Sequence, residues 1–408
     1  MKKTFLLSCL MLAAMPVMAA YTGHVYVDKN KNGVFDQSEK PLAGIKVSDG
    51  LNVVETAADG SFTLPGHERE RFIFITTPSG YKTFNRHYHK IEKKQSGYDF
   101  GLIPYSGRIR KDGSHRYIHI TDTEIFNTEN HADWVNNVHD YARNEQAAFI
   151  IHTGDICYEK GLKAHIKLMN TENMDCPVFY CIGNHDLVKG KYGEELFESI
   201  YGPVYYSFDA GNVHYVVTPM PGGDHAPGYT SDDVCRWLKN DLTHIRPGTP
   251  VVVFNHDLLT YEDTFIFKSK NAGSINLNEY NLKAWVYGHW HINYMKKQGD
   301  VYSVCTSSLD KGGIDHSTTA FRVMHVDSKG DFTSELRYTY LDKNICIASP
   351  AGVMASGVLP VAVNVYSSVS PVREVLYTCL ADGKPVLKNK RLLQSTDWSW
   401  NGELPLSH

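Results

Sequence analysis

The sequence predicts an α/β layered domain held between two β-rich segments. Three observations carry this. Residues 21 to about 105 are short alternating or β-branched runs broken by Gly, Asp and Pro turns. From Tyr117 onward, apolar strands alternate with helix-like segments. After about Cys346 the helix-like segments stop and strand-like runs return.

Length and composition set the frame. A chain of 408 residues exceeds one small core, and two or three domains are expected. Hydrophobic content of 42%, charged content of 21% and a net charge of -4 describe a soluble globular protein. No basic run stands out, so no nucleic-acid partner is evident.

Residues 1–20 read as a signal peptide. "MKK" is a basic start, "TFLLSCLMLAAMPV" an apolar stretch, and "MAA" supplies small residues for cleavage near Ala19-Ala20. The stretch is shorter than the roughly 20 residues of a spanning helix, and no later segment reaches that length. The expectation is an exported protein, periplasmic or extracellular, with no membrane span. Cys9 leaves with the signal. The other seven cysteines are scattered without a CxxC pair, and most sit in apolar runs as small buried side chains.

Residues 21–105 are expected to form a small sandwich-like β-domain from runs such as "HVYVD", "IKVSD", "SFTLP" and "RFIFITTP". Within it, "DKNKNGVFDQSE" fits the twelve-residue calcium-loop pattern at every constrained position. Asp28, Asn30 and Asn32 supply side-chain oxygens, Val34 a carbonyl, Asp36 the ninth position, and Glu39 closes the loop. Strand-like flanks exclude an EF-hand. The competing reading is a polar turn that needs no ion; the complete match favours a structural calcium.

"GLIPYSGRIRKDGSH" looks like a linker into the middle domain, residues 112–345. There "YIHITDT", "AAFIIHTGD", "CPVFYCIGNHD", "PVVVFNHD", "KAWVYGHWH" and "VYSVCTS" are strands, and "DWVNNVHDYARNE" and "SDDVCRWLKNDLTHI" are helix candidates. "YYSFDAGNVHYVVTPM" is a hairpin turning at Ala-Gly-Asn. Residues 346–408 form a β-rich segment, with a turn at Asp-Gly in "VREVLYTCLADGKPVL".

Five of these strands end in metal-ligand residues. They deliver Asp122 and Glu124; Asp155; Asn184, His185 and Asp186; His256 and Asp257; and His289 and His291. A lone His or Asp at a strand end is usually a turn or cap. Five together are hard to obtain from structural needs, because ligands of open α/β sheets bind at strand carboxyl ends. His119 and His152 each lie three positions before a carboxylate. That odd offset puts them on the opposite strand face, as core residues. Spacing allows His214, His225 and His316 to reach the site mouth without requiring it.

In order, Asp122-Thr123-Glu124, Gly154-Asp155, Gly183-Asn184-His185-Asp186, His256 and Gly288-His289-Trp290-His291 resemble the motifs of the calcineurin-like metallophosphoesterases. The likeness covers roughly residues 115–345 and is similar to exported bacterial members with an N-terminal β-domain. The resemblance implies a four-layer α/β/β/α fold and two divalent metal ions, Mn, Fe or Zn. By the family scheme Asp122, Asp155 and His291 hold the first ion. Asp155 bridges to the second, which also takes Asn184, His256 and His289. A hydroxide between the ions would attack phosphorus, His185 would protonate the leaving oxygen as general acid, and Asp186 would fix its tautomer.

Glu124 departs from the pattern, where the family more often has histidine. It could ligate through oxygen, act through water, or leave the first ion loosely held; a third carboxylate there would favour Mn, Mg or Fe over Zn. The expected activity is hydrolysis of a small phosphate mono- or diester. The competitors are a catalytically impaired binding or surface protein and a metal hydrolase acting on nucleotide anhydrides. "PGGDHAPGYTSDD" and "TYEDTFIFKSKNAGSI" are the loops where specificity is expected.

Overall fold

A computed structural model describes residues 20–340, 343–352, 357–367, 369–396 and 398–406. The signal peptide expected over residues 1–20 lies outside them except for Ala20.

Two mixed sheets face each other in the middle of the chain. The first has the spatial order Val178–Tyr180, Phe149–His152, His115–Ile120, Ala320–Val326, Phe332–Tyr338, with the first three strands parallel. The second runs Tyr206–Ala210, Val213–Val217, Val251–Phe254, Leu282–Tyr287, Val301–Cys305, Tyr294–Gln298, with four parallel strands at its centre. "FIIH" and "VVVF" are buried along their whole length, as parallel strands covered on both faces must be. Between the sheets the core is aromatic. Tyr117 stacks on Phe149 at 4.7 Å, and Tyr215 and Phe254 each meet Tyr117 edge-on at 5.7 Å.

Helices complete the layers. α1 (Ala132–Asn144) buries Trp134, Val138, Tyr141 and Ala142, the stripe of a 3.6-residue period, against Ile118, Ile120 and Ile150 of the first sheet. α2 (Tyr158–Leu168) and the short α3 (Glu195–Tyr201) pack together through Leu162, Phe197 and Tyr201. α4 (Ser231–Thr243) joins the core of the second sheet through Cys235, Trp237 and Leu238. It begins with a reciprocal capping box between Thr230 and Asp233. The result is the expected α/β/β/α stack. Among the described residues, no helix is long and apolar enough to cross a membrane.

The N-terminal segment is two small sheets around Val25, Val47, Phe62, Leu64, Ile73, Ile75, Phe100 and Leu102. It docks on the second sheet. An isolated bridge joins Thr77 to Phe208, Thr76 Oγ1 meets Ser207 Oγ at 2.8 Å, and Arg71 pairs with Glu194 at 2.8 Å and Glu198 at 3.0 Å. The C-terminal segment is a four-stranded sheet and a hairpin, with Leu359, Val361, Val363, Leu392 and Trp400 in its core. The seven described cysteines are all free.

Candidate active site

Parallel strands place their carboxyl ends on one edge, and the sequence-predicted residues gather there. The turns that follow are unusual. Asp122, Glu124, Asp155, His289 and His291 have φ of 50°, 44°, 55°, 64° and 49°. Non-glycine residues seldom occupy this region, and such positions cost about 1–3 kcal/mol each. Glycines appear where the backbones touch. A Cβ at Gly183 would lie 2.2 Å from Asp155 Oδ1, and one at Gly288 would lie 1.9 Å from Thr121 Oγ1.

The deepest member is His256, which is fully buried. Its Nδ1 lies 2.7 Å from the Thr153 carbonyl, which can only accept, so Nδ1 carries the proton and donates. Nε2 then presents its lone pair 3.1 Å from Asp155 Oδ2 and 3.9 Å from Asp122 Oδ1, without hydrogen-bond alignment to either. A lone pair facing two carboxylates is repulsive unless a cation or proton intervenes. Burial opposes protonation of this ring, yet Asp155 and Asp122 outweigh it and raise its pKa to about 10. His289 completes a group with Asp155 and His256 whose ligand atoms lie within 4.8 Å of one another.

Asp122 has one satisfied oxygen and one free. Oδ2 accepts from Thr121 Oγ1 at 2.7 Å and the His289 N–H at 3.0 Å. Oδ1 is buried and has no hydrogen-bond partner, although His291 Nε2 comes to 3.2 Å. Asn184 Oδ1 is likewise buried and unpartnered. Three orphaned ligand atoms from three separate turns, around the Asp155 carboxylate, fit a divalent-cation centre. Other buried polar atoms also lack partners, among them both His165 ring nitrogens and Trp237 Nε1, so it is the convergence of three ligand atoms on one carboxylate that sets this cluster apart.

His185 is held by Asp224. Nδ1 lies 2.8 Å from Asp224 Oδ2 and 3.3 Å from Tyr158 Oη, which leaves Nε2 free. Burial opposes its protonation, but the hydrogen bond to Asp224 and the charges of Asp155, Asp224 and Glu124 raise its pKa. The expectation that Asp186 fixes this tautomer is corrected. Its buried carboxylate accepts the Cys157 and Gly183 N–H groups, each at 2.9 Å, and so ties two turns together. Neighbours in a tight turn point apart, and that turns Asp186 into the protein.

Glu124 contacts the Lys311 ammonium through Oε2, while Oε1 lies 3.5 Å from His291 Nε2. Lys311 and Asp224 were not found from the sequence as site residues. Asp224 lies in "PGGDHAPGYTSDD", a loop singled out for specificity, and its backbone N–H donates to the Asn184 carbonyl at 3.1 Å.

The remaining histidines sort by burial. His119 is buried between Thr153 Oγ1 and Thr306 Oγ1, both at 2.8 Å. His152 is buried with Nε2 3.0 Å from Thr123 Oγ1, bracing the Asp122 turn. His214 does not reach the mouth: it is fully buried between Asp209 and Asp241 at the contact with the N-terminal segment. His225 and His316 are exposed. In the N-terminal loop, each side chain proposed for calcium is engaged within the loop. The Asp28 carboxylate accepts the Asn32 and Gly33 N–H groups, and Glu39 those of Lys29 and Asp36. Asn30 Oδ1 accepts the Asn32 N–H, Asn32 Oδ1 accepts the Val34 N–H, and Asp36 Oδ2 accepts from both asparagine amides.

Comparison with known proteins gives two family matches. A model described as "Calcineurin-like phosphoesterase" matches residues 115–293, and one described as "N terminal of Calcineurin-like phosphoesterase" matches residues 29–104. Over 215 residues the chain is 26% identical to purple acid phosphatase 13 of Arabidopsis thaliana, with 49% of this chain and 36% of that protein covered. The chain thus spans about a third of that relative's length. Among solved structures, GAP50, the anchor in the inner membrane complex of Plasmodium, is 13% identical with a TM-score of 0.36, covering 56% of this chain and 85% of that one. An archaeal phosphodiesterase is 12% identical with a TM-score of 0.28, covering 54% and 99%.

Proposed function

Because this chain belongs to the calcineurin-like phosphoesterases, we propose that it is an exported, metal-dependent hydrolase of small phosphate mono- or diesters. The observation that carries the reading is the set of buried, unpartnered ligand atoms: Asp122 Oδ1, Asn184 Oδ1 and His256 Nε2. Asp122, Asp155, Asn184, His256, His289 and His291 would hold two divalent ions, with Asp155 shared. Bound ions supply Lewis acidity toward phosphoryl oxygens and acidify water near neutral pH.

The chain's own residues do the rest. Thr153 fixes the His256 tautomer, and Thr121 and the His289 N–H fix the Asp122 carboxylate. His185, whose pKa is raised against burial by the Asp224 hydrogen bond and whose Nε2 is free, would give a proton to the leaving oxygen. The signal-like residues 1–20 support export, which N-terminal sequencing of the secreted or periplasmic protein would test. The complete loop spacing supports a structural calcium bound by Asp28, Asn30, Asn32, Val34, Asp36 and Glu39.

The deciding experiment is hydrolysis of a panel of phosphate monoesters, diesters and nucleotide anhydrides with added Mn, paired with metal analysis. Ester turnover that is lost in Asp155→Asn supports the reading. Inert protein carrying bound metal favours a binding role, and cleavage of anhydrides alone favours the third class. The Lys311 contact to Glu124 favours a loosely held first ion; one ion per chain even in excess Mn counts against the dinuclear form.

A further inference from the structure

Two exposed aromatic rings stand beside His185 at the strand-end cluster. Phe126 is 53% exposed and Tyr158 is 42% exposed, and their rings lie nearly parallel at 14° with centroids 6.3 Å apart. Tyr158 also lies against the His185 ring at 5.2 Å. Most exposed large apolar side chains occur singly and carry no meaning. This pair borders the proposed proton donor.

The backbone holds the pair in place at a cost. Cys157 and Tyr158 are consecutive non-glycine residues with φ of 81° and 54°. The buried Asp186 carboxylate accepts the Cys157 N–H, and the His185 carbonyl accepts the Tyr158 N–H at 3.0 Å. On the other strand end, Ile125 is buried while its neighbour Phe126 faces out. The Ile125 carbonyl presses so close to α2 that a Cβ at Gly161 would lie 2.4 Å from it. Such strain persists only where surrounding contacts impose it, and it concentrates at functional positions. Lys311, whose ammonium lies 5.9 Å from the Phe126 centroid, adds a cation at the rim.

We propose that Phe126 and Tyr158 form a stacking platform for a flat aromatic ring on the alcohol side of the substrate. The substrate class would then be phosphoesters of aryl or heteroaryl-bearing alcohols. The inference rests on the proposed hydrolase reading, and its placement is geometric: Tyr158 lies against His185, whose backbone N–H donates to Asp155 Oδ1 at 3.0 Å. The other aromatic pair, Tyr261 on Trp290 at 5.9 Å, is tied to Asp257 through the Trp290 Nε1–H and does not border His185.

The test uses full-length, Mn-loaded protein and non-hydrolysable ligands, so that leaving-group reactivity does not enter. Calorimetric binding of phenylphosphonate is compared with methylphosphonate for the wild type, Phe126→Ala, Tyr158→Ala and Tyr261→Ala. Phe126→Ala and Tyr158→Ala are expected to weaken phenylphosphonate about 5- to 10-fold more than methylphosphonate. Equal loss on both ligands, or a ring-specific loss only in Tyr261→Ala, overturns the platform, as does wild type that does not prefer the phenyl ligand. A parallel series of KM values for phenyl phosphate, a nucleoside 5′-monophosphate and glycerol phosphate separates the two ring sources. Wild type that cleaves none of these monoesters and no diester, yet binds phenylphosphonate through Phe126 and Tyr158, sinks the hydrolase reading and leaves the platform standing.

Discussion

One buried histidine–carboxylate cluster joins the second sheet to α4, another gathers at the strand carboxyl ends, and they differ in hydrogen-bond satisfaction. At the contact with the N-terminal segment, His214 meets Asp209 Oδ1 at 2.6 Å through Nδ1 and Asp241 Oδ2 at 2.8 Å through Nε2. Lys46 comes to 3.7 Å from Asp209, and Ser207 Oγ donates to Asp241 Oδ1 at 2.8 Å. Every member has a partner. At the strand ends, His256 and Asp122 are fully buried and Asn184 is half-buried, and each keeps an unpartnered atom. Residue type does not tell a lock from a site, and neither does one unsatisfied atom, since His165 is buried with both ring nitrogens unpartnered; the convergence of several such atoms around one carboxylate does.

The sharpest way to break the contrast is to neutralise a member of each cluster. Asp155→Asn is expected to cut ester hydrolysis by at least about 10³-fold. The metal-free variant should melt only modestly below metal-free wild type: against the opposing effect of burial, His256 and the His185 N–H, at 3.0 Å, hold the Asp155 carboxyl below its ordinary range, and the isosteric amide loses only that charge. Activity with Mn and a thermal melt in chelator check both halves. A variant that unfolds while the metal-free wild type does not would make the strand-end cluster a lock as well.

Asp241→Ala should do the reverse. Removing one partner of a buried, hydrogen-bonded charge pair costs about 3–5 kcal/mol, measurable by denaturant unfolding, while the folded fraction keeps its turnover within a few-fold. pH should act on the same contact. Burial opposes His214 protonation, but Asp241 outweighs it and raises the pKa. Its contribution is therefore full below the ordinary value of 6.5 and fades as pH rises through the folded value. Burial also opposes ionisation of Asp241, yet His214 lowers its pKa, so that contribution is lost as pH falls.

These contacts also mark where the sequence stops being informative. The strand-end cluster was legible because apolar runs ending in Asp, Asn or His announce themselves locally. So were α1 and α4, which the helix candidates "DWVNNVHDYARNE" and "SDDVCRWLKNDLTHI" anticipate. Asp224, Lys311 and the His214 lock were not. Asp224 reaches His185 across 39 positions and Lys311 reaches Glu124 across 187, so only tertiary packing brings them together. Asp186 misled for the opposite reason, since adjacency in the chain suggested a contact, while its carboxylate is engaged by the Cys157 and Gly183 N–H groups.

Adding metal should separate the clusters less drastically. At a free concentration 100 times its Kd, a divalent ion stabilises by about 2.7 kcal/mol. It should also displace the proton that His256, with its pKa raised to about 10, holds in the metal-free protein at neutral pH. Calorimetry in two buffers of different ionisation enthalpy should report net proton release on binding. Without metal, the His256 contribution to stability is full below 6.5 and is lost as pH rises toward about 10. No proton release would mean that a different group faces the ion.

The smallest effect is expected at Glu124, which stands between the two kinds of cluster. Its Oε2 is engaged by Lys311, as in a lock, yet its Oε1 faces His291, as in a site. Lys311 has 44% of its side chain exposed, so the pair is screened and contributes at most about 1 kcal/mol. Lys311→Met should therefore hardly move the melting temperature. It should nonetheless raise Mn affinity a few-fold, because the freed carboxylate adds an oxygen donor beside Asp122 and His291 and a competing positive charge is gone. Glu124→Gln measured beside it supplies the sign, since a ligand role predicts weaker Mn binding in that variant. Unchanged affinity in both would make Glu124 a surface partner of Lys311 and leave Asp122 and His291 to hold the first ion with Asp155 alone.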